Sequence, residues 1–130
     1  MANLHIAGSE RTPAVDFDFT AGQLSLVGES YPEDASRVFG PIFNALDSFL
    51  PAMTGRDISF DIELIYFNSS SAKALMNMLL KLDEAAAQGA NITINWRFLA
   101  EDETMLEFGQ DFSEDLQYVI FNLVAIHPSE

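Results

Sequence analysis

A strand, a polar turn and a helix follow one another directly over residues 58–82, and this order constrains the fold more than any other feature. One face of the predicted strand is apolar and comprises Ile58, Phe60, Ile62, Leu64 and Tyr66. The other face carries Ser59, Asp61 and Glu63. This period of two predicts a half-buried strand, and Ile65 and Phe67 make both faces apolar at its end, as expected where a central strand enters the core.

The turn after this strand consists of Asn68, Ser69, Ser70 and Ser71. A helix follows, because apolar residues recur at helical spacing at Ala72, Leu75, Leu79, Leu82 and Ala86. Asn and Ser are favoured N-cap residues, since their side chains accept hydrogen bonds from free helix amides. The same position is the positive end of a helix, where a phosphate is stabilised. The sequence leaves open which side chain caps and which hydroxyl is free.

A further strand is predicted after the helix, because Ile92, Ile94, Trp96 and Phe98 alternate with polar residues. A strand, a helix and a strand in succession predict two parallel strands with a right-handed crossover. Upstream, residues 15–19 and 24–26 predict a hairpin around Ala21-Gly22. Residues 1–12 are polar and mixed, and we expect them to be ordered only in part.

Two more helices and a last strand complete the prediction. A first helix begins at residues 32–34 and reaches Leu50, with a kink or break at Pro41, and a third begins at residues 101–103. Residues 118–126 are apolar and β-prone and predict a strand, with a helix as the alternative for so short a run. The order ββαβαβαβ predicts an α/β fold: one domain of residues 1–130, with a mixed sheet of about five strands and helices mainly on one face.

Charge and composition limit the partners. The chain has 20 acidic and 6 basic residues, a formal net charge of -14, which repels nucleic acid and anionic membrane surfaces. A basic protein partner is favoured, with a generally acidic protein as the alternative. The chain lacks Cys, which excludes disulfides and thiol catalysis. It shows neither a signal-peptide pattern nor an apolar run near ~20 residues, so we expect a cytoplasmic protein without a membrane span.

The residue patterns do not favour catalysis. His5 and His127 lie near the chain ends without the spacing of a triad, and neither a metal-ligand motif nor a glycine-rich phosphate loop occurs. Asp61 and Glu63 share one strand face and are expected to be solvated. We therefore predict neither an enzyme nor a cofactor or metal site. The alternative, a small-molecule-binding or catalytic domain that uses the acidic surface, predicts a deep pocket with converging carboxylates.

The serine cluster suggests a switch instead. A phosphoryl group adds about -1.5 to -2 charge. The helix dipole tolerates this charge, and Lys73, one turn after Ser69, is placed to pair with it. A partner packed against the same helix end would have to desolvate the charge, so phosphorylation would break that contact without refolding the domain.

Four segments of the sequence are similar to those of a known family. The sequence resembles the STAS domains of anti-anti-sigma factors and, more closely, the SiaC family of biofilm-regulation phosphoproteins. The matching segments are Thr12-Pro13-Ala14, Gly28-Glu29-Ser30-Tyr31-Pro32-Glu33, Leu64-Ile65-Tyr66-Phe67-Asn68-Ser69-Ser70-Ser71 and Ile94-Asn95-Trp96-Arg97. The resemblance covers nearly the whole chain and implies a STAS-like fold and a non-enzymatic switch protein.

The resemblance also implies partners and an acceptor residue. In that family, the hydroxyl residue directly after the Asn is phosphorylated by a partner Ser/Thr kinase and dephosphorylated by a PP2C-type phosphatase. The unphosphorylated form binds and activates a diguanylate cyclase, which raises cyclic di-GMP and favours biofilm. The motif match makes Ser69 the acceptor, where the best-known family pattern has Thr. The alternative partner, on the same fold, is an anti-sigma factor.

The cyclase interface does not carry over residue by residue. From geometry alone, we expect partners to contact the start of the helix and its exposed stripe. The residues concerned are Asn68, Ser70, Ser71, Lys73 and Asn77.

Overall fold

The computed structural model describes residues 3–127, which form one six-stranded sheet with three helices. The strands are β1 (Leu4–Ile6), β2 (Ala14–Asp18), β3 (Gln23–Ser30), β4 (Asp57–Phe67), β5 (Asn91–Leu99) and β6 (Ile120–Ile126). The helices are α1 (Ala35–Phe49), α2 (Ser69–Ala87) and α3 (Glu103–Glu114), with a short 3-10 turn at Leu50–Ala52. The predicted α/β class and the order of helices and strands are confirmed, with one additional strand.

The strands lie in the sheet in the order in which they occur along the chain. β1, β2 and β3 pair antiparallel, whereas β3, β4, β5 and β6 pair parallel. The predicted hairpin and the predicted parallel pair β4–β5 are therefore confirmed. The carboxyl ends of β3 to β6 lie along one edge of the sheet, and each of the connections that leave β3, β4 and β5 contains a helix, as parallel pairing requires.

The additional strand, β1, lies within residues 1–12, which we expected to be ordered only in part; residues 1 and 2 lie outside the described residues. Leu4 lies opposite Phe17, and Ile6 opposite Val15. The Asn3 side chain also accepts a hydrogen bond from the backbone N–H of Phe19 at 3.0 Å. Three residues are too few to show a period in the sequence, so this strand is specified by its pairing with β2 rather than by its own pattern.

The core lies between the helices and one face of the sheet. Trp96 on β5 is fully buried, and its indole N–H donates to the carbonyl of Met105 on α3 at 3.0 Å. The core residues contributed by the helices include Phe39, Ile42, Leu46, Leu75, Met78, Leu79, Leu82, Met105 and Phe112. The strands alternate buried and partly exposed residues, which confirms that the helices cover one face.

The opposite face of the sheet carries a polar ladder. Asn95 donates to the carboxylate of Asp61 at 2.8 Å, and Arg97 Nε lies 3.0 Å from Glu63 Oε1. These cross-strand pairs engage both carboxylates that the sequence places on this face. Asp61 and Glu63 thus stabilise the strand pairing and do not converge on a pocket.

Helix α1 differs from expectation at Pro41. The helix runs unbroken from Ala35 to Phe49 with Pro41 inside it, so of the predicted kink or break the break is wrong, and the kink stays a prediction. Pro41 itself is exposed, while Phe39 and Ile42 on either side are buried. Packing of these two side chains against the core offsets the hydrogen bond that proline removes.

Candidate functional site

Asn68 begins helix α2 and links it to neighbouring strands. Its side-chain oxygen accepts from the backbone N–H of Ser71 at 3.0 Å, as an N-cap does. Its side-chain amide donates to the carbonyl of Pro32 at 3.3 Å, and its backbone N–H donates to the carbonyl of Ser30 at 3.0 Å. The capping role that the sequence left open therefore belongs to Asn68, which leaves the serine hydroxyls free of that role.

Ser71 is the serine whose surroundings differ most from expectation. It is fully buried, and its hydroxyl lies 2.7 Å from the hydroxyl of Ser30, which is also fully buried. A side chain in this position has no surface to offer a partner or a kinase. The expectation that Ser71 contacts partners is therefore corrected: it joins the start of α2 to the end of β3.

Ser69 and Ser70 are both exposed at the first turn of α2. This turn contains no acidic residue, so nothing there opposes an added negative charge. The helix dipole and the free amides of the first turn stabilise such a charge. Both hydroxyls are therefore sterically and electrostatically suited to phosphorylation, and the assignment to Ser69 stays a prediction.

Lys73 lies one turn beyond these serines and is exposed. It has no acidic partner within the described part of the chain, unlike Lys81, whose ammonium lies 2.8 Å from Asp47. Residues four apart on a helix are neighbours, so Lys73 lies beside Ser69. Asn77, a further turn on, is exposed as well, so the predicted contact residues Ser70, Lys73 and Asn77 all lie on the surface.

A β-bulge at the end of β4 exposes apolar side chains that the alternating sequence pattern does not predict to be exposed. Gly28 pairs with Leu64 but Glu29 pairs with Tyr66, so Ile65 is an extra residue in the ladder. As a result Ile65 is 59% exposed, Tyr66 is 51% exposed and Phe67 is buried. The expectation that Tyr66 shares the buried face of Leu64 is wrong, because one inserted residue moves the following side chain to the other face.

Tyr66 packs edge-on against Tyr31, with 5.7 Å between the ring centroids. Tyr31 belongs to the segment that follows β3, next to Pro32, whose carbonyl bonds Asn68. An exposed aromatic residue, Tyr66, and the half-buried Tyr31 therefore lie beside the start of α2. Clustered exposed apolar side chains of this kind are typical of protein contact surfaces.

The described residues offer little that resembles a catalytic or metal centre. One groove of about 440 Å³ lies at the ends of α1 and α2, where the carboxylate of Asp47 is paired with Lys81. A second groove, of about 600 Å³, includes Arg11 paired with Glu33 at 3.6 Å. Within residues 3–127, no cluster of three or more His, Asp or Glu is suited to a metal ion. No helix in that range is long and apolar enough to span a membrane.

His5 is placed on β1 rather than in a flexible terminus. Its imidazole is 3.9 Å from Asp16 on β2, and both side chains are largely exposed. His127 lies just beyond β6. The two histidines thus lie at opposite edges of the sheet, which keeps them from acting together.

The chain is similar to proteins of one family over most of its length. The sequence model of the SiaC family regulatory phosphoproteins matches residues 6–126. An uncharacterised protein of Pseudomonas aeruginosa (strain UCBPP-PA14) is 37% identical over 118 residues, which are 91% of this chain and 93% of that protein.

Solved structures show the same similarity in sequence and in fold. SiaC of Pseudomonas aeruginosa is 36% identical and superposes with a TM-score of 0.87 over 97% of this chain and 100% of its own. The crystal structure of the diguanylate cyclase SiaD in complex with its activator SiaC, from the same organism, contains a chain that is 36% identical to this one. That chain superposes with a TM-score of 0.87 over 95% of this chain and 99% of its own.

Proposed function

This chain belongs to the SiaC family of regulatory phosphoproteins, and from that premise we propose that it is a non-enzymatic, phosphorylation-controlled activator of a diguanylate cyclase. The unphosphorylated form binds and activates the cyclase, which raises cyclic di-GMP and favours biofilm formation. SiaC of Pseudomonas aeruginosa is the activator of SiaD and forms a complex with it. That complex favours a cyclase over an anti-sigma factor as the partner of this chain.

Ser69 is the proposed phosphate acceptor. One observation carries this proposal: its hydroxyl is exposed at the start of α2, directly after the capping Asn68 and one turn before Lys73, which has no acidic partner among residues 3–127. Ser71 is buried and bonded to Ser30, so it is not a competitor. Ser70 is exposed too, and the family pattern, in which the acceptor directly follows the Asn, favours Ser69.

The proposed switch acts through desolvation of charge. Within the protein, a phosphoryl group on Ser69 is stabilised by the first-turn amides of α2 and by Lys73. A partner that covers the same surface removes water from that group without replacing its hydrogen bonds. Burying an unpaired charge is costly, so phosphorylation blocks docking while the fold stays intact.

The proposed contact surface combines polar and apolar parts. Its polar part is the exposed stripe of Ser70, Lys73 and Asn77, with Asn68 at its start. Its apolar part is Ile65 and Tyr66, which the β4 bulge presents beside that stripe. Aromatic side chains are frequent energetic centres of protein interfaces, so Tyr66 is the residue expected to contribute most.

The proposed cycle needs two further enzymes. A Ser/Thr kinase adds the phosphoryl group, and a PP2C-type phosphatase removes it. Both must reach the Ser69 hydroxyl, which its exposure allows. We propose the cytoplasm as the compartment, because the kinase and the cyclase both consume nucleoside triphosphates.

Phosphopeptide mass spectrometry of the protein from its own cells tests the acceptor. We expect the phosphate on Ser69, its loss in Ser69→Ala, and its retention in the matched control Ser70→Ala. Full phosphorylation of Ser69→Ala would show that another residue is the acceptor. A pull-down with the unphosphorylated protein tests the partner: we expect a diguanylate cyclase, and recovery of a sigma-control protein instead would contradict the proposal.

A further inference from the structure

The two edges of the sheet differ in a way that the proposed switch does not explain. An open edge strand presents unpaired main-chain groups, and proteins protect such edges by shortness, charge or proline. Edge strand β1 is three residues long. Edge strand β6 is seven residues long, and residues 118–126 contain neither a charged residue nor a proline.

The side chains of β6 are also incompletely covered. None of its seven residues is fully buried, whereas four of the nine residues of the neighbouring β5 are. Ile120 is 61% exposed and Leu123 is 39% exposed, with Tyr118 just ahead of the strand 60% exposed. In the described structure β6 is bonded to β5 alone. The outer edge of β6 thus combines free main-chain groups with exposed apolar side chains.

The charge beside this edge is of one sign. Helix α3 packs over β5 and β6, and its exposed charged residues are Glu103, Glu107, Asp111 and Glu114. No Lys or Arg follows Arg97 in the chain. Because α3 lies on one side of β6 and its exposed charges are all acidic, a segment that pairs with β6 meets a negative potential, which attracts Lys and Arg and repels Asp and Glu.

We propose that β6 is a docking edge for an extended, basic segment of a protein partner, which adds a seventh strand to the sheet. In such strand addition, main-chain hydrogen bonds supply affinity and alternate side chains supply specificity. The apolar side chains of the segment cover Ile120 on the open face of the sheet, and its basic side chains project to the other face, beside Leu123 and towards α3. This surface is separated by β5 from β4, which leads into Ser69, so it acts independently of the phosphorylation site.

A second copy of the chain fits the same edge less well. Antiparallel pairing of two β6 strands about a twofold axis places both α3 helices on the same side of the joined sheet. Their exposed charges are all acidic, and like charges on the same side of the joined sheet oppose association. The negative charge of α3 beside β6 therefore favours a basic partner over a homodimer.

Synthetic peptides test the proposal on the full chain. The probe is a panel of nine-residue peptides in which Val, Ile or Thr alternates with Lys or Arg. One matched panel replaces every basic residue by Glu, and a second N-methylates alternate backbone amides. Binding is followed by fluorescence anisotropy, and the contact is located by amide chemical shifts of the labelled protein.

We expect basic peptides to bind and to perturb residues 120–126, with both matched panels at least about tenfold weaker. Ile120→Lys is expected to weaken binding about tenfold, and Ile120→Glu less than that, because the two share the lost apolar contact but differ in charge. Val27→Lys, at a 41% exposed apolar position on the open face of β3, is the matched control and is expected to bind normally. Thermal melts verify that the variants are folded.

Three results would overturn the proposal. If no basic peptide binds, the edge is not a docking site for such segments. If the acidic peptides bind as tightly as the basic ones, the charge argument fails. If the N-methylated peptides bind as tightly, the strand-addition argument fails. A dimer in sedimentation that Ile120→Lys dissociates would assign the edge to a second copy of the chain.

Discussion

The buried carboxylate of Asp83 on α2 accepts a hydrogen bond of 2.7 Å from the backbone N–H of Tyr118. The same carboxylate accepts from the backbone N–H groups of Gln117 at 3.0 Å and Val119 at 3.1 Å. These three amides belong to the connection between α3 and β6. One side chain thus fixes the entry of β6 into the sheet from a helix three elements earlier in the chain.

We expect Asp83→Ala to destabilise the protein by about 3 kcal/mol, because it leaves several amides without their charged acceptor. Asp83→Asn keeps one acceptor oxygen and should cost about 1–2 kcal/mol. Urea denaturation measures both. Asp47→Ala is the control, since it removes an exposed ion pair to Lys81 and should cost at most about 1 kcal/mol. Equal losses of stability in Asp83→Ala and Asp47→Ala would show that the hydrogen bonds of the Asp83 carboxylate contribute little.

Gly109 lets α3 pack directly against Trp96 on β5 and Leu123 on β6. A Cβ atom at this position would lie 2.6 Å from Trp96 Cδ1 and 2.7 Å from Leu123 Cδ2. Gly109→Ala should therefore destabilise by about 1–3 kcal/mol, even though Ala favours the helix.

Gly40→Ala in α1 is the matched control, because outside its chain neighbours and the backbone of its own helix nothing lies within 4 Å of its added Cβ. It is expected to change stability by less than about 1 kcal/mol, because the higher helix propensity of Ala is offset by contact of its Cβ with the ring of Pro41. Thermal or urea unfolding of both variants tests the contrast. A stabilising effect of Gly109→Ala would contradict the close packing of α3.

Much of this fold could be read from periodicity, because long alternating or helical patterns are dictated by burial. The β4–α2–β5 unit and the exposed positions of Lys73 and Asn77 on α2 belong to this class. Three features depend instead on contacts between distant residues: the pairing of β1, the extra residue Ile65 in β4, and the burial of Ser71 against Ser30. A local pattern does not record these contacts, so the sequence assigned Tyr66 and Ser71 to the wrong surroundings.

The hydroxyls of Ser30 and Ser71 form a buried pair that should contribute to stability but not to phosphorylation. Either single change to Ala leaves one buried hydroxyl without its partner and should cost about 1–2 kcal/mol. The double variant removes both polar groups and should cost less than the sum of the single changes. Urea denaturation of the three variants measures the coupling. Strict additivity would mean that the 2.7 Å contact carries no net free energy.

Ser69→Asp should weaken cyclase binding about tenfold while the fold is retained, because it adds a negative charge on the proposed contact surface and removes little packing. Ser36→Asp is the matched control: it is also an exposed serine in the first turn of a helix, on α1, and should leave binding unchanged.

Tyr66→Ala should weaken binding to a similar degree without altering phosphorylation, because it removes an apolar contact and leaves the acceptor. Binding is measured by calorimetry with the purified cyclase. Equal affinities of Ser69→Asp and Ser36→Asp would exclude charge at the start of α2 as the means of control, whereas loss of binding in Tyr66→Ala alone would keep the surface and reject the switch.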